Sequence, residues 1–189
     1  MTDAAPGFRH VRDESIHEGH VIRLVTSHHT APDGSAFTRE VVRHPGAVSV
    51  VPLHDDGTVT LVRQYRAAVD AEMLELPAGK RDVTGEDPAR TAERELEEEV
   101  GLRAARLELL VEFVNSVGFS DERSLVYLGV GLDEVAQDRQ GIEEQHMTIE
   151  RVHLDDVPAM IATGELVDAK TVLGLTMARQ WVGEHGLPG

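Results

Sequence analysis

The sequence predicts an α/β domain of the α+β kind, with helices on both faces of a mixed sheet and an antiparallel β element ahead of it. Three observations predict it. Strand-like runs outnumber helical ones and are broken by few helices, which calls for helix layered on sheet. Residues 47–51 (Ala47, Val48, Ser49, Val50, Val51) form a run suited to a central strand buried on both faces. Between Asp87 and Gly101 lies an amphipathic helix: at about 100° per residue, Ala89, Ala92, Leu96 and Val100 fall on one apolar stripe. The 189 residues are enough to bury one substantial core.

Taken in order, strands are expected at residues 21–25 and 37–42, separated by the turn residues Pro32, Asp33 and Gly34. Both fall before Ala47, so residues 1–46 read as the N-terminal β element and 47–189 as the main domain. The strand at 47–51 turns at Asp55, Asp56 and Gly57 into a strand at 59–65, a hairpin by its spacing. A short strand at 73–76 then delivers the chain to Pro77, Ala78 and Gly79. The helix that follows is well bounded. Asp87 suits the N-cap, Pro88 the first helical position and Gly101 the position just past the end. Strands follow at 107–114, 124–129 and 148–154; Asp155 and Asp156 cap a short helix ending near Gly164. The last helix spans 169–184, and its Met177 and Trp181, one turn apart, read as core or dimer contacts.

Composition narrows the function. The chain has 34 acidic and 18 basic residues, a formal net charge of −16, which repels nucleic acid and anionic membrane alike. No apolar run is long enough to cross a bilayer, and Met1 to Gly7 does not resemble a signal peptide. There is no cysteine, so disulfides, thiolate metal sites and a cysteine nucleophile are excluded. That agrees with a reducing interior, and the cytoplasm is the expected location. His28 and His29 are adjacent on an expected strand and point oppositely, so they do not read as a metal pair.

Beside the helix's apolar stripe, Glu95, Glu98 and Glu99 share an arc of roughly 100°. Their repulsion costs a few tenths of a kcal/mol per neighbouring pair, on the order set by helix surface pairs. A merely solvated acidic face is the bland alternative, and it would intersperse Lys or Arg. A hard divalent cation, Mg²⁺ or Mn²⁺, removes the conflict because it prefers carboxylate and carbonyl oxygen. The helix caps, the Arg94–Glu95 pair and the Gly79 loop all coincide with this patch, which favours the cation.

The segment from Gly79 to Leu102 resembles the Nudix box, G-x5-E-x7-R-E-U-x-E-E-x-G-U with U aliphatic. Arg94, Glu95, Leu96, Glu98, Glu99, Gly101 and Leu102 fit, and Glu86 stands at the required distance before Arg94. Six residues rather than five separate Gly79 from Glu86, an insertion in a loop where it is cheap. The resemblance implies the Nudix α/β/α sandwich and a Mg²⁺- or Mn²⁺-dependent pyrophosphohydrolase of the ADP-ribose pyrophosphatase branch. That activity splits ADP-ribose into AMP and ribose 5-phosphate. The same resemblance makes residues 47–189 the catalytic domain and implies a homodimer exchanging the N-terminal β element. Hydrolysis of another nucleoside diphosphate sugar or a dinucleotide is the nearest rival. A non-catalytic ADP-ribose-binding regulator ranks below it, since every box carboxylate is kept.

Carried over residue by residue, Glu95, Glu98 and Glu99 with the Ala78 carbonyl are implied to hold the metal. Arg94 is implied to orient a carboxylate by forked hydrogen bonds. Glu86 is implied to support the loop, and Gly79 and Gly101 to shape the motif. The base of this branch lies on a downstream loop, here residues 141–147. Glu144 aligns best, Glu143 is the alternative, and His146 has a suitable ordinary pKa. For the substrate, Gln64, Tyr65 and Arg66 resemble a segment whose arginine meets phosphate, and Glu75 is implied to lie near the pocket. Thr38, Arg39 and Glu40 resemble a segment reaching the adenine end across the dimer. Gly118, Phe119, Ser120 and Asp121 match a loop of the branch, although Val117 stands where that branch usually carries proline.

Overall fold

The N-terminal strands form an antiparallel sheet in the order β1-β2-β3: β1 (Arg9–Glu18), β2 (Arg23–Thr30) and β3 (Ala36–Arg43). This computed structural model describes residues 7–139 and 141–188; the opening segment through Pro6, expected not to be a leader, lies outside the described residues. β1 has no counterpart among the strands expected from the sequence. It is exposed at nine of its ten positions, so neither alternation nor an apolar run marks it. Pairing with β2 holds it, along with Asp13, whose two oxygens accept from Arg43 Nε and Nη2 at 2.9 and 3.0 Å. The strand expected at 21–25 lies instead at 23–30, because Val25 and Ser27 are its buried positions and Ser27 Oγ bonds His29 Nε2 at 2.9 Å. With residues Val114–Arg123 this sheet makes one of two compact units. Within it, Val42 N donates to Phe119 O at 2.7 Å, and Asp121 accepts from Arg43 Nη1 and His44 N at 3.1 and 2.9 Å.

The second unit holds Ala47–Phe113 and the chain from Ser124 on. Its mixed sheet runs β7-β4-β9-β8, where β4 is Ala47–Pro52, β7 Ala78–Lys80, β8 Leu102–Val114 and β9 Arg123–Glu134. β4 pairs parallel with β9 and antiparallel with β7. A second sheet, β10-β5-β6, is antiparallel, with β5 (Thr58–Arg66) between β10 (Thr148–His153) and β6 (Ala71–Glu75). The helices are α1 (Pro88–Val100), α2 (Ile142–His146), α3 (Val157–Thr163) and α4 (Ala169–His185).

β4 is buried on both faces, as its composition predicts. Val48 and Val50 pack with Ala92, Leu96 and Val100 of α1, while Val51 packs in the core that contains Val157 of α3 and Leu175 of α4. Helices therefore cover the mixed sheet on both sides, the layered α/β arrangement expected.

Local expectations fare unevenly. The caps of α1 are as read: Asp87 Oδ1 accepts from Ala89 N at 2.9 Å, Pro88 opens the helix, and Gly101 closes it at φ 67°. The expected hairpin of β4 and β5 does not form. A tight turn joins them, but only Leu53 bridges Val59, and the strands then diverge into different sheets. Both edges of β4 are already taken by β7 and β9, which leaves β5 no place beside it. Residues 142–146, read as loop, make the short helix α2. Asp155 and Asp156 form a 3-10 turn capped by His153 Nδ1, and Asp156 precedes α3 without a capping side-chain bond. Among the described residues no helix is long and apolar enough to cross a membrane.

Candidate active site

α1 lies with its apolar stripe on β4, which brings Glu95 and Glu99 against the Ala78–Gly79 segment of β7, while Glu98 meets Arg94 on the helix itself. Glu99 is the deepest, at 3 % exposure, and its Oε2 accepts the Ala78 N–H at 2.9 Å. Burial pushes this carboxyl up to about 8, and the charges of Glu95 and Glu144 push the same way against the Ala78 N–H and Arg66. Glu95 is also raised, by burial first and then by Glu98 and Glu144, with Arg94 opposing. Carboxylates from α1 and α2 thus feel one another in a half-dry setting.

Gly79 permits the close approach. A Cβ built there would lie 1.9 Å from Glu95 Cδ, so any side chain would collide with the carboxylate itself. The Ala78–Gly79 turn is therefore pressed against α1 at the height of Glu95.

Arg94 organises the outer carboxylates. Its Nη1 lies 2.8 Å from Glu95 Oε1 and 3.1 Å from Glu98 Oε2, and its Nη2 lies 3.7 Å from Glu86 Oε2. Glu86 Oε2 also accepts from Thr91 Oγ1 at 2.8 Å, fastening the loop to the first turn of α1. Burial pulls the Arg94 guanidinium down, but Glu95, Glu98 and Glu86 outweigh it and raise its pKa.

Among the described residues, no three His, Cys, Asp or Glu side chains have their donors gathered as a ready-made metal cage. Glu95 and Glu98 share Arg94 Nη1, whereas Glu99 Oε2 is taken by the Ala78 N–H. The donor chemistry nevertheless fits a hard divalent cation. All three side chains offer carboxylate oxygen, the Ala78 backbone adjoins Glu99, and the burial, with neighbouring carboxylates adding to it, that raises Glu95 and Glu99 is a cost that a cation relieves. Glu95, Glu98, Glu99 and the Ala78 carbonyl are the groups that could hold it.

α2 brings up the candidate base. Glu144 is half-buried and its charge is felt by Glu95 and Glu99, while Glu143 and His146 are exposed. Arg139, absent from the sequence reading, ties this segment to α1. Its Nε donates to Glu99 O at 3.3 Å, and its Nη1 to Glu144 O and Met147 O at 3.3 and 3.0 Å.

At the end of β5, Arg66 grips Glu75 bidentately: Nε to Oε1 at 2.6 Å and Nη2 to Oε2 at 2.7 Å. Glu75 is only 2 % exposed, and Lys170 Nζ donates to its Oε2. Both carboxylate oxygens are thus bound to protein cations, beside the arginine expected to meet phosphate. Gln64, two residues earlier, is buried, and its Nε2 has no hydrogen-bond partner among the described residues.

The remaining candidates belong to the first unit. Arg39 and Glu40 are exposed on β3; the Arg39 guanidinium sits 5.1 Å above the Phe37 ring and its Nη1 donates to Thr38 O at 2.7 Å. Gly118, Phe119 and Asp121 are exposed and Ser120 half-buried, and Asp121 is engaged by Arg43 and His44. The structure therefore gathers Arg66, Glu75, Ala78, Gly79, Glu86, Arg94, Glu95, Glu98, Glu99, Gly101 and Glu144 in one unit, and the other six in its companion.

Residues 43–173 match the NUDIX domain family. The chain is 39 % identical over 168 residues to the ADP-ribose pyrophosphatase of Mycobacterium tuberculosis (strain ATCC 25618 / H37Rv), covering 89 % of this chain and 81 % of that protein. It is 37 % identical over 165 residues to the ADP-ribose pyrophosphatase of Bacillus subtilis (strain 168), covering 87 % of this chain and 89 % of that one. A crystal structure of an ADP compounds hydrolase superposes with a TM-score of 0.82 at 20 % identity, covering 99 % of this chain and all of that one, a likeness of fold.

Proposed function

The chain belongs to the Nudix family, and on that premise we propose that it hydrolyses the diphosphate of ADP-ribose to AMP and ribose 5-phosphate. The observation that carries the chemistry is the coupling of Glu95, Glu99 and Glu144, three carboxylates from two elements crowded until burial and mutual repulsion raise the first two. The observation that favours ADP-ribose is the pair of relatives bearing that activity in their names, matched over most of the chain.

Glu95, Glu98 and Glu99 with the Ala78 carbonyl would hold Mg²⁺ or Mn²⁺. Such an ion would supply positive charge against the diphosphate and lower the pKa of water. The protein's own groups do the rest. Arg94 keeps Glu95 and Glu98 aimed, since one guanidinium nitrogen contacts both. Glu144 takes the proton of the attacking water. It is chosen over Glu143 because it alone of the two is half-buried and registers on Glu95 and Glu99. Arg66 spends Nε and Nη2 on Glu75, which leaves Nη1 for a phosphate oxygen. Arg39, Glu40 and the loop Gly118, Phe119, Ser120 and Asp121 are proposed to contact the substrate from the N-terminal element of a homodimer. The reducing interior that suits a chain without cysteine makes the cytoplasm the proposed location.

The test is a panel of ADP-ribose, other nucleoside diphosphate sugars and dinucleotides, run with Mg²⁺ and with chelator and scored by product mass. ADP-ribose is expected to give AMP and ribose 5-phosphate only with metal. Glu144→Gln is expected to lower kcat by about 10²-fold or more with KM little changed. A faster partner in the panel would reassign the substrate, and wild-type turnover by Glu144→Gln would remove it as base.

A further inference from the structure

We infer that Lys170, in the first turn of α4, is a positioning residue that keeps Arg66 available to a substrate phosphate, an inference that rests on the diphosphate reading above. The carboxylate of Glu75 is 2 % exposed, and a carboxylate buried to that depth calls for cations beside it. It has two. Arg66 approaches as a fork and is still 41 % exposed at its side chain; Lys170 approaches Oε2 and is 14 % exposed.

Lys170 is itself fixed. Its Nζ donates to Asp168 Oδ2 at 2.9 Å, and the same oxygen accepts from Thr171 N and Oγ1 at 3.0 and 2.6 Å. Asp168 is thereby the N-cap of α4 and a counter-ion at once. Burial pushes the Asp168 carboxyl up, but Lys170 and Thr171 outweigh burial and hold it below its usual value. Thr171 Oγ1 in turn accepts the N–H of Leu76, one residue past β6, at 2.9 Å. The start of α4 is thus bolted to the segment that ends in Ala78.

The charges sum to zero over Asp168, Lys170, Glu75 and Arg66, and their order decides what Arg66 can do. With Lys170 present, two cations share Glu75, and the charge of Arg66 is still felt at Glu99. Without Lys170, Arg66 alone must neutralise a buried carboxylate and is held more tightly away from any phosphate. The cost falls on substrate binding. The proton transfer at Glu144 is untouched.

The experiment is steady-state hydrolysis of ADP-ribose with Mg²⁺ by the full chain and four variants: Lys170→Met, Lys170→Arg, Glu75→Gln and the Glu75→Gln, Lys170→Met double variant. Lys170→Met is expected to raise KM about tenfold while kcat stays within about twofold. Lys170→Arg is expected to restore KM. The double variant removes the buried Glu75 charge together with Lys170 and leaves Asp168 its bonds from Thr171 N and Oγ1, so it is the variant expected to fold where Lys170→Met does not, and its KM is expected to equal that of Glu75→Gln. A KM indifferent to Lys170, no rescue by Arg, or a further tenfold rise in the double variant would overturn the inference while leaving the hydrolase reading intact. A wild-type chain that cleaves no diphosphate would bring down that reading and this one together.

Discussion

Gly79 shows at the scale of one residue how sequence, packing and chemistry meet. Its missing side chain is what lets the Ala78 turn lie against Glu95, since a Cβ there would sit 1.9 Å from Glu95 Cδ. Gly79→Ala must displace either the turn or the carboxylate. It is expected to lower kcat by about 10-fold or more, because misplacement of about an ångström near a reacting centre costs up to 10²-fold. Steady-state kinetics beside a thermal melt decides it; a variant with unchanged kcat would show that the turn can move freely. The acidic residues of α1, Arg94 and both motif glycines were legible because their spacing along one helix is itself the signal. Lys170 and Arg139 were not. Lys170 meets Glu75 across 95 positions and Arg139 meets Glu99 across 40, and a lone cation in a sequence announces no distant partner. Glu75 was noticed for its place near the expected pocket, but its two cationic partners appear only in three dimensions.

At the scale of elements, what could be read was what chemistry makes local. α1 carries both its stop signals and its apolar stripe within its own span, and its caps came out as expected. β4 declared its double burial by composition. β1 stayed hidden because an exposed strand has no apolar pattern; its partner, not its sequence, makes it a strand. The lost hairpin has the same origin. A turn dictates that the chain reverses, but whether two strands then pair depends on which edges are free, and β9, more than 70 residues along the chain, fills the edge of β4. α2 is five residues long, below the length at which periodicity speaks, and Arg139 supplies the anchoring that its own sequence lacks.

For the whole molecule, a net charge of −16 opposes the approach of an anionic diphosphate, so local cations must reverse the field where the substrate sits. In the function proposed, Arg66 and the divalent ion are those cations. The proposed homodimer belongs to this scale as well. β1, at the edge of the first sheet, carries exposed Val11 and Ile16 at 58 % and 51 %. Sedimentation equilibrium is expected to give twice the chain mass; a monomer at micromolar concentration would remove the dimer and, with it, the substrate role given to Arg39 and Glu40.

Uptake of Mn²⁺ followed by electron paramagnetic resonance tests most directly whether the α1 carboxylates exist to seat a divalent cation. The wild-type chain is expected to deplete the free Mn²⁺ signal on titration, and Glu95→Gln and Glu99→Gln to leave most of it in solution while keeping the wild-type melt. Equal depletion by all three proteins, or none by the wild type even with ADP-ribose present, would contradict the account.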